Sequence, residues 1–304
     1  MNVQSVRPRH DKGILIPSGE FTMGSEQFYP EERPLRRVKV REFRIDRHPV
    51  TYRQFARFVE NTGYQTFAEL PPDPSLYPDA DPSFLVPGSL VFTPPSSPVS
   101  LLDFRAWWAY VPGANWRYPW GKAAGKQPDP DHPVVQVTFA DALAYAKWVG
   151  GTLPDEAEWE YAARGGLEGK TYSWGDEFMP AGRHMANTWQ GRFPWENLAE
   201  DGFTGTSPVM SYPANGYGLF DMTGNVWEWT SSRFTPNHAS SSPHNCCTPE
   251  RVVNITGQRN VVKGGSHLCA PNYCLRYRPA ARQGQTLDTA TSHIGFRCIT
   301  RVGS

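Results

Sequence analysis

The sequence predicts a compact domain rich in loops and turns, with few helices and short strands. Three observations lead there. Proline and glycine number 29 and 27 of 304 residues, well above the usage of an ordinary helical enzyme. The 11 tryptophans and 13 tyrosines carry too much apolar area to remain solvated, so the loops must pack. Helix punctuation, meanwhile, is confined to a few short stretches. Such a domain satisfies many backbone groups outside regular structure, so tightly bound ions or buried waters are expected.

Taken in order, Ile14 to Met23 reads as a strand and turn. Arg36 to Asp46 alternates Val38, Val40, Phe43 and Ile45 against Arg37, Lys39, Arg41 and Arg44, which predicts one amphipathic strand with a single slip. Thr51 caps a helix running to about Asn61, with Phe55, Phe58 and Val59 on its buried face and Gly63 as its stop. From Glu69 to Pro130 periodicity disappears. Prolines recur, followed by the aromatic cluster Trp107, Trp108, Trp116, Tyr118 and Trp120. A long ordered loop of this kind is a candidate surface for a ligand or peptide, or else an aromatic plug over the core.

Val134, Val135 and Val137 read as a short strand. Thr138 with Asp141 opens a helix through Trp148 that stops at Gly150-Gly151. Asp155 and Glu158 open another, through Arg164 to the Gly165-Gly166 stop. Asp155, Glu156 and Glu158 suit a helix N-terminus and are read as capping and solvated charges, not as catalysts. Turns and short strands follow to the end. No linker divides the chain, so residues 1–304 are taken as one domain with a flexible N-terminus over 1–12.

Lysine plus arginine equals aspartate plus glutamate at 30 each, so no net field points to nucleic acid or an anionic membrane. No apolar run approaches a transmembrane length, and Gly13 to Pro17 is too short for the apolar core of a signal peptide. Five cysteines are too few for a disulfide framework, and the odd number leaves a free thiol. A reducing, cytoplasmic setting is the simplest reading.

Two of those cysteines carry the chemistry. Cys269 and Cys274 lie five apart in a stretch from Gly264 to Tyr277, with Gly264, Gly265 and Pro271 as turn formers and Tyr273, Arg276, Tyr277 and Arg278 nearby. The spacing does not share a helical face, and a fully extended chain would hold the ends up to ~16 Å apart. A curved backbone could bring the sulfurs together for one soft metal or for redox chemistry. Two buried apolar cysteines or a structural bridge are the alternatives, and spacing alone leaves both open.

Longer words in the sequence resemble the sulfatase-modifying-factor family. They are Ile16 to Gly24, Leu153 to Gly166, Asn215 to Thr230 and Gly295 to Cys298, which together cover nearly the whole chain. The resemblance implies a single irregular α+β domain with low regular secondary structure, distantly C-type-lectin-like. Within that family, Gly264-Gly265-Ser266, Cys269, Tyr273-Cys274, Arg276-Tyr277-Arg278, Ala280-Ala281-Arg282 and Asp288 resemble the active-site stretch of the formylglycine-generating enzymes, of bacterial type.

That resemblance implies oxidation of a cysteine in an unfolded sulfatase segment, Cys-x-Pro-x-Arg, to Cα-formylglycine. Cu(I) and O2 serve the reaction, and an external thiol supplies electrons. It assigns Cys269 and Cys274 as copper ligands, with Ser266, Tyr273 and Trp227 lining the oxygen and substrate side. Two thiolates suit soft Cu(I) better than zinc or iron, and leave room for the substrate's own thiolate. An older reading for the family makes the pair a redox disulfide that captures substrate by exchange. The resemblance also implies structural Ca2+ at two places. Asn187 and Asp201 side chains with Thr188 and Phe203 carbonyls form the first, and Asp221, Gly224, Val226 and Glu228 the second. The expected partner is the unfolded sulfatase polypeptide or a motif peptide, met by a monomer.

The chain departs from the family pattern in places. Ala146, Ala163 and Pro279 stand where some relatives carry disulfide cysteines, which leaves Cys298 a buried free thiol. Ala270 follows the first catalytic cysteine where relatives can be polar, and Cys246-Cys247 sits on a proline- and serine-rich stretch without an assigned role. Two rivals remain within the superfamily. A sibling iron-dependent sulfoxide synthase needs an added histidine-bearing domain, and none of the eight histidines here pairs four apart. A non-catalytic lectin-like binding module would make the cysteine pair incidental.

Overall fold

A computed structural model describes residues 13–240 and 257–302 of the chain. The N-terminal 1–12 and Cys246-Cys247 lie outside the described residues. Each of three helices among the described residues begins at a reciprocal side-chain cap. Thr51 and Gln54 cap α1 (Tyr52–Thr62), Thr138 and Asp141 cap α2 (Phe139–Trp148), and Asp155 and Glu158 cap α3 (Glu156–Arg164). Gly63 and Gly165 end α1 and α3 in the left-handed conformation, at φ of 67° and 58°. The apolar face of α1 packs into the main core, where Phe55 meets Trp116 edge-on at 5.1 Å and Tyr145 of α2 stacked at 5.9 Å.

The strands are short. β1 (Ile14–Ile16), β4 (Phe43–Ile45) and β11 (Ile299–Arg301) form one antiparallel sheet with β4 in the centre. β2 (Gly19–Met23) pairs with β3 (Arg36–Val40), so the single strand expected over Arg36 to Asp46 is two, in different sheets. The slip in alternation marks the break at Arg41 and Glu42. β5 (Gly88–Phe92) pairs with β6 (Trp108–Pro112), which puts a two-stranded ribbon inside the stretch expected to lack periodicity. The four-stranded sheet runs β10 (Ile294–Gly295), β7 (Trp227–Arg233), β8 (Arg259–Lys263), β9 (Arg282–Thr286). The strand expected at Val134 to Val137 does not form. Gln136 adopts φ of 61°, which breaks the extension, and only Pro133 bridges, to Thr51.

Charges are buried in pairs. Glu156, expected in solvent, is 4 % exposed and holds Arg282 through Oε1 at 2.6 Å and Oε2 at 3.1 Å. Lys263 reaches Glu160 at 2.9 Å with both side chains fully buried, and Glu160 also takes Arg164 at 2.7 Å. These contacts pin α3 to β8 and β9. No described helix is long and apolar enough to cross a membrane.

Candidate active site

The sheet positions the site through the connection from β8 to β9. β8 delivers Lys263 to the core, and the chain then turns at Gly264 and Gly265, with φ of 93° and 72°. A Cβ at Gly265 would press on the Arg276 carbonyl at 2.7 Å, so the two ends of the segment approach where only glycine fits. Beyond it, the Cys269 N–H donates to the Ser266 carbonyl at 2.9 Å. The Tyr273 and Cys274 N–H groups both donate to the Ala270 carbonyl, at 3.0 and 2.7 Å. This single turn folds the five-residue spacing onto itself and sets the Sγ atoms of Cys269 and Cys274 3.0 Å apart.

Both thiols are free and buried, at 2 % and 7 % exposure. A structural bridge, one of the two readings that spacing left open, is therefore not present. The Cys269 thiol hydrogen bond lowers Cys274 to about 7, against burial and with help from the Arg276 guanidinium. Burial and the hydrogen bond to Cys274 push Cys269 up. The pair thus divides its roles, with Cys274 inclined to thiolate and Cys269 to proton donor.

Ser266 is fully buried, and its Oγ accepts the Leu268 N–H at 3.2 Å. Trp227, 3 % exposed, belongs to the same buried cluster as both cysteines and Tyr277. Tyr273 is 42 % exposed and stacks on Phe193 at 4.5 Å, while Trp107 meets it edge-on at 5.6 Å. Burial raises its pKa, and charge on Cys274 and Cys269 adds to that. Four of the five residues expected at the active site lie on this segment by sequence, and Trp227 shares the buried core cluster with the two cysteines. His267 is pushed down to about 4 by burial and donates through Nδ1 to the Asn225 carbonyl, so it is a neutral wall.

Sequence reasoning missed the strap Phe28 to Glu32. The Leu275 N–H donates to the Tyr29 hydroxyl at 2.9 Å, and Arg276 lies over the Tyr29 ring at 3.9 Å while pairing with Glu31. Arg278 takes both oxygens of the buried Glu32, at 2.6 and 2.9 Å, and stacks on Phe28 at 3.6 Å. The strap holds the far end of the cysteine segment in place. The one available signal was charge complementarity, Glu31-Glu32 against Arg276 and Arg278.

The two calcium sets differ in fit. In the first, the Gln190 side chain donates to the Thr188 carbonyl and accepts the Asp201 N–H, so both lie around one amide. Asp201 also accepts the Phe203 N–H at 3.0 Å and the Tyr212 hydroxyl at 2.9 Å, and the Asn187 amide donates to the Gly205 carbonyl at 2.9 Å. These are amide, carboxylate and carbonyl oxygens of the kind a hard cation takes. In the second set, Gly224 packs against the Asn187 carbonyl and burial pushes Asp221 up to about 6. Glu228, however, is bound by Arg297 at 2.7 Å on each oxygen, and its Oε2 also accepts Trp159 Nε1 at 2.8 Å. Only Oε1 keeps lone-pair capacity, so this set fits a cation less well. Among the described residues, no three His, Cys, Asp or Glu side chains group as a metal site, so either calcium would rely on carbonyl and amide oxygens.

The family model described as the sulfatase-modifying factor enzyme 1-like domain matches residues 2–302. A formylglycine-generating enzyme of Mycobacterium tuberculosis is 56 % identical over 289 residues, which is 94 % of this chain and 96 % of the relative. One from Streptomyces coelicolor is 45 % identical over 97 % of this chain and 91 % of the relative. Among solved structures, PvdO from Pseudomonas aeruginosa is similar at a TM-score of 0.62 and 23 % identity, covering 95 % of this chain and 93 % of that one, a likeness of fold alone.

Proposed function

The chain belongs to the sulfatase-modifying factor enzyme 1-like family, and we propose that it is a copper- and O2-dependent oxidase that converts the cysteine of a Cys-x-Pro-x-Arg motif to Cα-formylglycine, activating sulfatases. Its near full-length kinship with formylglycine-generating enzymes supports the reaction class. The observation that carries the finer reading is the buried, unbonded pair of sulfurs 3.0 Å apart, one of them held toward thiolate.

The donor set fits Cu(I), which is soft and accepts thiolates at low coordination number. Cys269 and Cys274 would hold it, and when bound it would supply the O2 reactivity that thiols alone lack. Arg276 provides the counter-charge beside Cys274. Tyr273 and Ser266 offer hydroxyls on the substrate and oxygen side, and Trp227 closes the apolar back wall. In the balanced reaction the substrate CH2SH becomes CHO and its sulfur leaves as hydrogen sulfide. Net, one O2 is consumed with two electrons and two protons from an external thiol, and one water is formed beside the aldehyde and hydrogen sulfide. Ca2+ at the Asn187, Thr188, Asp201 and Phe203 oxygens would brace the loop that packs on the cysteine segment, where the Trp189 N–H donates to the Cys269 carbonyl at 3.0 Å. The setting we propose is a monomer in a reducing cytoplasm, where the fully buried thiol of Cys298 is at home.

The test is mass spectrometry of a Cys-x-Pro-x-Arg peptide incubated with protein, Cu(I), O2 and a thiol reductant. Replacement of the cysteine CH2SH by an aldehyde, lost in Cys269→Ser and Cys274→Ser, is expected. No aldehyde from the wild-type protein would refute the reading.

A further inference from the structure

Three oxidisable rings stack in a ladder that ends at the cysteine segment. Trp174 lies on Tyr172 with centroids 5.1 Å apart and planes 7° from parallel. Tyr172 in turn lies on Tyr277 at 6.1 Å and 15°. Phe178 packs against both tyrosines, at 5.6 and 4.9 Å, and keeps the rungs in register. A tight turn holds the outer two rungs. The Tyr172 N–H donates to the Gly175 carbonyl at 2.8 Å, and Trp174 Nε1 donates to the Glu177 carbonyl at 2.9 Å.

Burial increases along the ladder. Trp174 and Tyr172 are half-buried, whereas Tyr277 is 1 % exposed. Tyr277 belongs to the same buried cluster as Cys269 and Cys274, and three chain steps from Cys274 limit their Cα separation to ~11 Å. Phenylalanine would satisfy the packing at every rung, as it does at Phe178. The phenols of Tyr172 and Tyr277 make no hydrogen bond among the described residues, so neither is there to satisfy a structural partner. Tyrosine and tryptophan are instead the aromatic side chains that lose one electron most readily.

The function proposed above sets a demand that such a ladder meets. It draws two electrons from an external thiol, yet the sulfurs are only 2 % and 7 % exposed, and substrate takes up their open side during turnover. We propose that Trp174, Tyr172 and Tyr277 form a relay that carries single electrons from a thiol at the surface to the Cys269 and Cys274 centre. This rests on the O2-dependent oxidation proposed above. One electron leaves Tyr277 for the centre, Tyr172 refills Tyr277, Trp174 refills Tyr172, and a low-molecular-weight thiol refills Trp174. Each ring gives up a proton on oxidation and recovers it on reduction. Each transit converts RSH to RS• and a proton released to solvent, and two RS• couple to RSSR. Two transits therefore supply the two electrons that O2 reduction requires, and the two protons it takes up are returned by the two released.

The relay can be driven in the opposite direction in metal-free protein, without O2 or peptide. A ruthenium polypyridyl photo-oxidant is attached at Glu177→Cys, beside Trp174, in a chain carrying Cys246→Ser and Cys247→Ser. The remaining native thiols are then the buried Cys269, Cys274 and Cys298. Flashes under argon with a sacrificial electron acceptor withdraw electrons at Trp174. Two withdrawals should oxidise the cysteine pair to a disulfide with release of two protons, read by peptide mapping as a Cys269–Cys274 crosslink. Adding Tyr172→Phe or Tyr277→Phe should reduce the crosslink to the level of the unflashed sample, and Tyr172→Trp, which restores an oxidisable rung, should regain it. Thermal melts confirm that each variant is folded. No light-driven crosslink in the parent, or one undiminished in both phenylalanine variants, overturns the relay. Conversion of the cysteine peptide is read separately, so a relay that conducts in a protein unable to convert its peptide refutes the reaction and not the relay.

Discussion

The Sγ atoms of Cys269 and Cys274 stand 3.0 Å apart without a bond between them. A disulfide would need them about 1 Å closer. The contact is a hydrogen bond in which one thiol stabilises the other's thiolate, and both sulfurs remain available to a soft cation.

Proximity of this kind makes the pair the readiest disulfide among the described cysteines. Treatment of metal-free protein with diamide should give a crosslinked peptide containing both Cys269 and Cys274, whereas Cys298, fully buried elsewhere, stays reduced. Prior loading with Cu(I) should suppress the crosslink. Peptide mapping reads both outcomes, and a crosslink that forms equally with and without copper would contradict metal capture at these sulfurs.

Tyr273 combines a ring stacked on Phe193 with a phenol whose pKa is raised by burial and by charge on the two cysteines. Tyr273→Phe keeps the stack on Phe193 and removes only the hydroxyl. Its melting temperature should stay within about 2 °C of wild type while kcat for the peptide falls by roughly tenfold, about 1.4 kcal/mol. An unchanged kcat would remove the hydroxyl from the chemistry.

Calcium should stabilise through the first oxygen set. Chelation is expected to lower the melting temperature of wild type, and Asp201→Asn should abolish the response, because binding to the folded state alone raises its stability. Asp201→Asn that melts with undiminished calcium dependence would shift the site elsewhere.

Glu156 and Glu160 give the acid limit. Burial raises each carboxyl, but His238, Lys263 and Arg282 around Glu156, and Lys263 and Arg164 around Glu160, outweigh it and hold both at about 2 against 4.5. A depressed folded pKa stabilises above the unfolded value and is lost as pH falls through the folded one. Stability should thus be full above about pH 5 and decline from there toward pH 2, by up to roughly 3 kcal/mol per carboxylate. Urea unfolding across that range checks it, and Glu160→Gln should flatten the profile.

Much of this was legible in the sequence where the signal is local. Thr51, Thr138 and Asp155 announce three helices, and Gly63 and Gly165 stop two of them, because capping needs only neighbours. The cysteine segment was legible as a site through its surrounding residues, though the turn at Ala270 that joins the sulfurs was not. Contacts made at long range stayed hidden. β5 is anchored by Thr291, and Glu31 meets Arg276 across 245 residues. Glu156 looked like a solvated cap because nothing near it in sequence foretells Arg282 and Lys263.

The most direct measurement is a competitive Cu(I) titration of wild type, Cys269→Ser and Cys274→Ser against a chromophoric chelator under anaerobic conditions. One copper per chain, withdrawn from the chelator by wild type and by neither variant, is the predicted result. Equal copper uptake by either single variant would contradict a centre built from these two sulfurs.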